Sequence, residues 1–361
     1  MIVAFTSVVA EPLILRHNAS MATPMINKSI LHHVVRLLDG VASTSVTDRA
    51  LQAAGLERRA LIGEPGFLPL SAEVILAEAV ARTTGERHIG TIVGEKFRYR
   101  ALGWYAGYVL SAPRLGGALA RGRRGLSLLH PGCKVTLRDA GTHVVLGIDT
   151  RLRHVNGARH LDEAMPFLLL DLVRHYLGES WSPDWLEATT TRPQDGPVLE
   201  ERFRAKVRTG MDLPGIALRK TDLAARNPDP PHASTRVGLS DLPRLMGLTP
   251  PRTVAEEVLV VLQSQLVLGD LSADATARRL AKGVRSLQRS LQAEGTSFRE
   301  VQQRFLKERA TALLSETDLS AGEIARLLGY DGPDSFRRAF LKWTGVPPSH
   351  YARSARQRSP V

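Results

Sequence analysis

Residues 320–351, S-A-G-E-I-A-R-L-L-G-Y-D-G-P-D-S-F-R-R-A-F-L-K-W-T-G-V-P-P-S-H-Y, constrain the fold more than any other stretch, because they read as two short helices joined by a tight turn. Ser320 can cap the first helix while Glu323 reaches back from its third position, a reciprocal capping box. Ile324, Ala325, Leu327 and Leu328 follow at helical spacing, and Gly329 ends the helix. Pro333 suits the first turn of the second helix. There Phe336, Ala339, Phe340 and Trp343 form one apolar stripe, with Arg337, Arg338 and Lys342 elsewhere on the circumference. A scaffold helix, a glycine turn and a cation-bearing helix make the plan of a helix-turn-helix, whose second helix enters the DNA major groove. The plainer alternative is a surface helical hairpin with solvated arginines.

The plan occurs twice. Ser272 opens S-A-D-A-T-A-R-R-L-A, Lys282-Gly283 makes the turn, and V-R-S-L-Q-R-S-L-Q-A-E-G-T-S-F follows. The pattern G-Y-x5-F-x-R-x-F-x-K-W-x-G-x-x-P at 329–348 closely resembles the signature of the AraC family of bacterial transcription regulators. L-Q-R-x-L-x-x-E-G-T-S-F at 287–298 is similar to that family's first helix-turn-helix. The resemblance is good over 251–352 and weaker over 25–225. It implies an all-α DNA-binding domain with two helix-turn-helix units joined by a long helix, here 298–314, about 25 Å of helix.

In such a domain both second helices would enter successive major grooves on one side of the duplex, about 34 Å apart. Arg285, Ser286, Gln288 and Arg289 are the residues expected at the first groove, where Arg and Gln can pair bidentately with guanine and adenine. Asp334, Ser335 and Arg337 lie nearest the base-reading end of the second helix, and Arg338 and Lys342 are placed for phosphates. Several positions depart from the family pattern. Gly283 stands where a capping Ser is usual, Lys282 where an apolar residue is usual, and Gly332 where an acidic residue is expected. Asp334 replaces a common Ser, while Leu306 and Ala352 replace basic residues and so remove potential phosphate contacts.

Ahead of this domain, helical patterns at 26–38, 46–54, 71–83 (Ser71 as cap), 102–110, 115–129 and 159–176 surround a hairpin signal. That hairpin pairs 133–138 with 142–150 around Asp139-Ala140-Gly141. A strand at 185–191, a helix at 198–207 and a strand at 215–219 complete an α+β domain over 25–225. Residues 102–119 resemble the effector domain of one large subgroup of the family, the arabinose-binding type in name. This implies a small-molecule effector and a possible homodimer, with RNA polymerase as a further partner. Residues 226–250, rich in Pro, Gly and small polar residues, read as the linker. Residues 1–24 read as a disordered or mis-assigned extension, with Met21 or Met25 as alternative starts.

The charge agrees with a polyanionic partner without proving one. The 361 residues carry 48 Lys+Arg against 36 Asp+Glu, a net +12, and the excess is spread over the chain. One cysteine, Cys133, excludes an internal disulfide framework and a Cys-based zinc cluster, and suits a reducing cytoplasm. No apolar run approaches the ~20 residues of a membrane helix. Adjacent His32 and His33 do not share a helix side, so no metal is expected, and no cofactor either. G-T-I-V-G-E-K at 90–96 fails the phosphate-loop spacing and reads as a small-residue helix surface. Of Arg121, Arg123 and Arg124, a solvated face is the expectation over an anion site.

Two other function classes stay open at this level. The same DNA-binding module occurs fused to a DNA-repair methyltransferase. Here Cys133 is the sole candidate nucleophile, with His130 nearby, although H-P-G-C-K-V-T does not match that enzyme's P-C-H-R site. A non-specific DNA-binding protein is the other. The leading expectation is a sequence-specific, effector-responsive regulator, an activator acting at promoter DNA.

Overall fold

The computed structural model describes residues 23–230, 237–266 and 269–358, with side chains left out for 355–358. The expectations for most of 1–24 therefore lie outside the described residues. Thr23 and Pro24 are inside them, and both are buried.

The chain enters as a short strand, β1 (Met25–Asn27), which pairs antiparallel with β2 (Phe67–Pro69). Between them lie α1 (Lys28–Asp39) and α2 (Thr44–Ala53). The first helix begins two residues later than its apolar spacing predicts. Asn27 is extended and its side chain accepts from the Ser29 amide, so the backbone turns there and Ile26 stays in the strand. Next come α3 (Ser71–Thr84), α4 (Ile89–Lys96), α5 (Trp104–Leu110) and α6 (Leu115–Leu129). Ser71 does not cap α3, because it is already helical, and its hydroxyl instead donates to Arg279 O at 2.7 Å.

The predicted hairpin is present as β3 (Lys134–Ala140) and β4 (His143–Asp149). The long α7 (Arg159–Leu177) follows, then β5 (Leu186–Glu187), α8 (Asp195–Phe203), β6 (Val207–Arg208) and β7 (Gly215–Arg219). The five strands β3–β7 form one sheet in the order β3-β4-β7-β5-β6, antiparallel except for β5–β6. The strand expected over 185–191 shrinks to two residues, since only Leu186 and Glu187 pair with β7. The helix expected over 198–207 moves to α8, because Arg204 adopts the left-handed region that ends it. The 90–96 stretch packs α4 against α7. A Cβ at Gly90 would lie 2.2 Å from His160 O, and one at Gly94 2.8 Å from Phe167, so only glycine permits that approach.

The stretch expected as linker holds α9 (Leu242–Met246), whose Leu242 is fully buried in the core of the preceding domain. Helix α10 (Val254–Gln265), capped by Thr253, then opens a second, helical core. Met25 and Phe67, from the first sheet, are buried in that second core beside Val254 and Val258. The two units are therefore joined by packing as well as by covalent connection.

Candidate nucleic-acid interface

The first helix-turn-helix is built from α11 (Ala273–Arg279) and α12 (Val284–Ala293). Ser272 caps α11, its hydroxyl accepting from the Ala275 amide at 3.2 Å. The turn places Ala281 at φ 53°, a left-handed conformation that disfavours a side chain. Gly283 starts α12 without a side-chain cap, as the absence of a hydroxyl dictates.

Leu287 and Leu291, one turn apart, are fully buried and fix which side of α12 faces inward. Arg285, Ser286, Gln288 and Arg289 are consequently exposed. Positions 285, 288 and 289 share one outer face by helical spacing. Gln292 is exposed one turn beyond 288 on that same face, a position sequence reasoning passed over.

The connecting helix is α13 (Phe298–Glu316), two residues longer than predicted at its C-terminal end. A capping box of Ser297 and Glu300 starts it, with the two amide-to-side-chain bonds at 3.3 and 2.8 Å. The Ser297 hydroxyl, its amide and the Thr296 hydroxyl, all donating to Glu300, hold its exposed carboxyl below the ordinary range. Val301, Phe305, Leu306, Ala310 and Leu314 are buried along α13, which packs on α10 before it and on both helices that follow the second turn. Leu306 thus serves the core, which accounts for the loss of a basic residue there. Arg299, Arg304 and Lys307 stand exposed on the same helix, with no ion pair among the described residues. Their spacing along the connecting helix was the signal that could have added them to the site.

The second unit is α14 (Ala321–Leu327) and α15 (Pro333–Thr344), followed by α16 (Pro348–Arg358). The predicted Ser320–Glu323 capping box is present, and the Ser320 amide and hydroxyl hold the Glu323 carboxyl below its ordinary range. Gly329, at φ 75°, takes the left-handed turn after α14. Phe336 and Phe340 are fully buried and touch Tyr330, Trp343 and Tyr351 through their rings.

That aromatic stripe turns Asp334, Arg337, Arg338 and Lys342 outward, all exposed. Arg337 Nη1 lies 3.2 Å from Asp334 Oδ1, an exposed pair of small intrinsic worth. Ser335 is half-buried and its hydroxyl donates to Gly332 O at 3.0 Å. Leu341, 47% exposed, shares the Arg337 face. Sequence reasoning missed it, because an apolar residue there reads as core until the stripe is fixed by Phe336 and Phe340.

Lys282 makes the first turn part of the interface between the two units. Its ammonium lies 2.9 Å from Glu257 Oε2, both side chains being largely buried. Glu257 also accepts from the Thr23 amide at 2.7 Å and the Thr23 hydroxyl at 2.5 Å. Arg279 donates to Gly55 O at 2.6 Å, and His154 Nε2 lies 3.3 Å from Ala281 O. The substitution that looked like a missing apolar residue is thus one half of a buried ion pair.

Elsewhere the candidate chemistry does not assemble. Cys133 is buried, and burial pushes its thiol up to about 12, where thiolate is scarce at neutral pH. His130 does not pair with it: its Nδ1 faces Met25 O at 3.3 Å, and burial lowers the imidazole to about 4. Among the described residues no group of three or more His, Cys, Asp or Glu is placed to hold a metal. No described helix is long and apolar enough to cross a membrane. Arg121 is not solvated as expected. It donates to Tyr108 O and Ser111 Oγ, whereas Arg123 and Arg124 are exposed.

A family model described as the arabinose-binding domain of AraC transcription regulator, N-terminal, matches residues 46–227, and a helix-turn-helix domain model matches 276–354. Among curated proteins, the ornithine utilization regulator of Pseudomonas aeruginosa is 45% identical over 75 residues, 21% of this chain and 22% of that protein. The HTH-type transcriptional regulator VirS of Mycobacterium tuberculosis is 33% identical over 99 residues, 27% of this chain and 29% of that protein. Each of these matches spans under a third of the relative's length. The crystal structure of transcriptional regulator CdpR from P. aeruginosa shares 24% identity, covering 76% of this chain and 91% of that one, at a TM-score of 0.35.

Proposed function

The chain belongs to the AraC family of transcription regulators, and from that premise we propose that it binds promoter DNA sequence-specifically as an effector-responsive activator. One observation carries the reading. Helices α12 and α15 each bury one apolar face, through Leu287 and Leu291 or Phe336 and Phe340, and turn unburied cations outward. Helix α13, packed on α15 and on α10, which itself carries α11 and α12, would hold the pair in fixed relation, so that they enter successive major grooves.

Within α12, Arg285, Gln288 and Arg289 are the base-reading candidates, with Ser286 beside them. In α15, Asp334 and Arg337 lie at the groove end. Their exposed pairing leaves Arg337 free to exchange Asp334 for a base or phosphate at little expense. Arg338 and Lys342 take phosphates, and Leu341 can meet a thymine methyl. The effector would enter the N-terminal unit and shift the contacts at Thr23, Arg279 and Lys282, which requires different affinities for two arrangements of the units. RNA polymerase as partner, a homodimer through the N-terminal unit and action in the cytoplasm, at the nucleoid, complete the proposal.

The test compares Arg289→Ala with Arg338→Ala on a promoter fragment and on random duplex at matched salt. The first should change which sequences are preferred. The second should weaken all duplexes about equally and reduce the salt slope by about 1. Equal effects of both variants on every sequence would refute the division of labour.

A further inference from the structure

The N-terminal unit encloses a cavity of about 80 Å³ between α1, α3, α4, α6, α7 and the β3–β4 hairpin. Aliphatic and aromatic side chains such as Val34, Leu126, Ile148 and Leu168 dominate its lining, and among the described residues no lysine or arginine contributes to it. Among the described residues Glu73 is the one carboxyl in that wall. It sits on α3 away from any basic group, with no hydrogen-bond or ion-pair partner among the described residues, and burial alone pushes it up to about 7. A carboxyl facing an apolar cavity unpaired is expensive unless something meets it.

We propose that this cavity is the effector site and that it takes a slender apolar molecule bearing one primary ammonium group, seated against Glu73. The inference rests on the regulator reading and specifies its ligand. An ammonium restores the missing counter-charge, and an alkyl chain matches the rest of the wall. A carboxylate ligand would find no cation there. A sugar or free amino acid would lose water from several polar groups with too few partners to replace it. The volume is about half of the ~150 Å³ void that accepts benzene, which favours a single chain over a ring.

The site also touches the contacts between the two units. Leu70 lines the cavity, and the next residue, Ser71, holds Arg279 O at the end of α11. His130 lines it too, facing the carbonyl of Met25, whose side chain is buried in the DNA-binding core. A ligand that displaces the first wall moves a residue bonded to the first helix-turn-helix unit, and one that displaces the second moves a residue packed in the DNA-binding core.

The experiment is calorimetric titration of the full chain at pH 8 with n-butylamine, 1-butanol and butanoate, chains short enough for the cavity. The amine should bind at least tenfold more tightly than the alcohol, and butanoate should not bind. Glu73→Gln should reduce amine affinity to that of the alcohol, with a melting temperature at or above that of the parent chain. Val135→Phe, which fills the cavity from β3, should abolish both. No saturable amine binding, a preference for alcohol or carboxylate, or amine binding unchanged in either variant would overturn the proposal. Sequence-specific DNA binding by the ligand-free chain is measured alongside. Its presence with no amine binding removes this inference alone, and its absence with amine binding intact removes the regulator reading instead.

Discussion

Replacing Lys282 by Met keeps the length of the side-chain stem and deletes the ammonium that ties the first turn to Glu257. The native pair is 2.9 Å apart, with the Lys and Glu side chains 17% and 4% exposed. At an effective dielectric of ~20 the attraction is 332/(20 × 2.9), about 6 kcal/mol, most of it offset by removing both ions from water. Breaking a buried pair from one side usually costs about 3–5 kcal/mol. Thr23 continues to donate twice to Glu257 here, so the loss should be about 2–3 kcal/mol. The assay is a double-mutant cycle of Lys282→Met with Glu257→Gln, read by urea denaturation under far-UV circular dichroism. Hydrogen exchange at the Thr23 amide, which bonds Glu257, should accelerate in the single variant. A loss under about 0.5 kcal/mol, or strictly additive single effects, would show that the pair does not join the units.

Two other outcomes follow from buried charge. A Glu73 carboxyl at about 7 in the fold and near 4.5 when unfolded favours the folded state below 4.5, and that contribution is lost as pH rises through 7. The span is worth about 3 kcal/mol, so the stability difference between Glu73→Gln and the parent chain should grow by about that much from pH 4 to pH 8; an unchanged difference contradicts the burial. Asp195, 1% exposed, is held at about 2, chiefly by the Arg87 guanidinium that bonds it at 3.0 and 2.8 Å. Arg87→Met should therefore destabilise the chain by about 2 kcal/mol in thermal or urea unfolding, since Asp195 keeps the Thr190 hydroxyl at 2.6 Å and His88 Nε2 at 3.7 Å, and a change under about 0.5 kcal/mol would contradict its dependence on the guanidinium.

The DNA-binding half was the more legible one, for physical reasons. Helices α10, α11, α13 and α14 start at side-chain caps, and bulky apolar residues recur at strict helical spacing, so Ser320, Glu323, Phe336 and Phe340 announce their roles locally. The β3–β4 hairpin was readable from alternation around Gly141 for the same reason. What escaped depends on distant partners. Nothing near position 282 says that Lys282 meets Glu257, or that Glu257 meets Thr23 at 234 residues' separation. The early start assigned to the first helix and the cap assigned to Ser71 failed alike. Ile26 was claimed by β2, and the Ser71 hydroxyl by a carbonyl in the other unit. The outward faces of α12 and α15 could be assigned from spacing, but Leu341 needed the cores to be located first.

The central claim is that two outward cation-bearing helices, held by α13, read one face of a DNA duplex together. Hydroxyl-radical footprinting of the full chain on DNA upstream of its own gene tests it most directly. Two protected segments about 10 base pairs apart on the same face of the duplex are expected, with Arg289→Ala weakening one and Arg338→Ala the other. A single protected segment, segments on opposite faces, or uniform protection without sequence preference would contradict it.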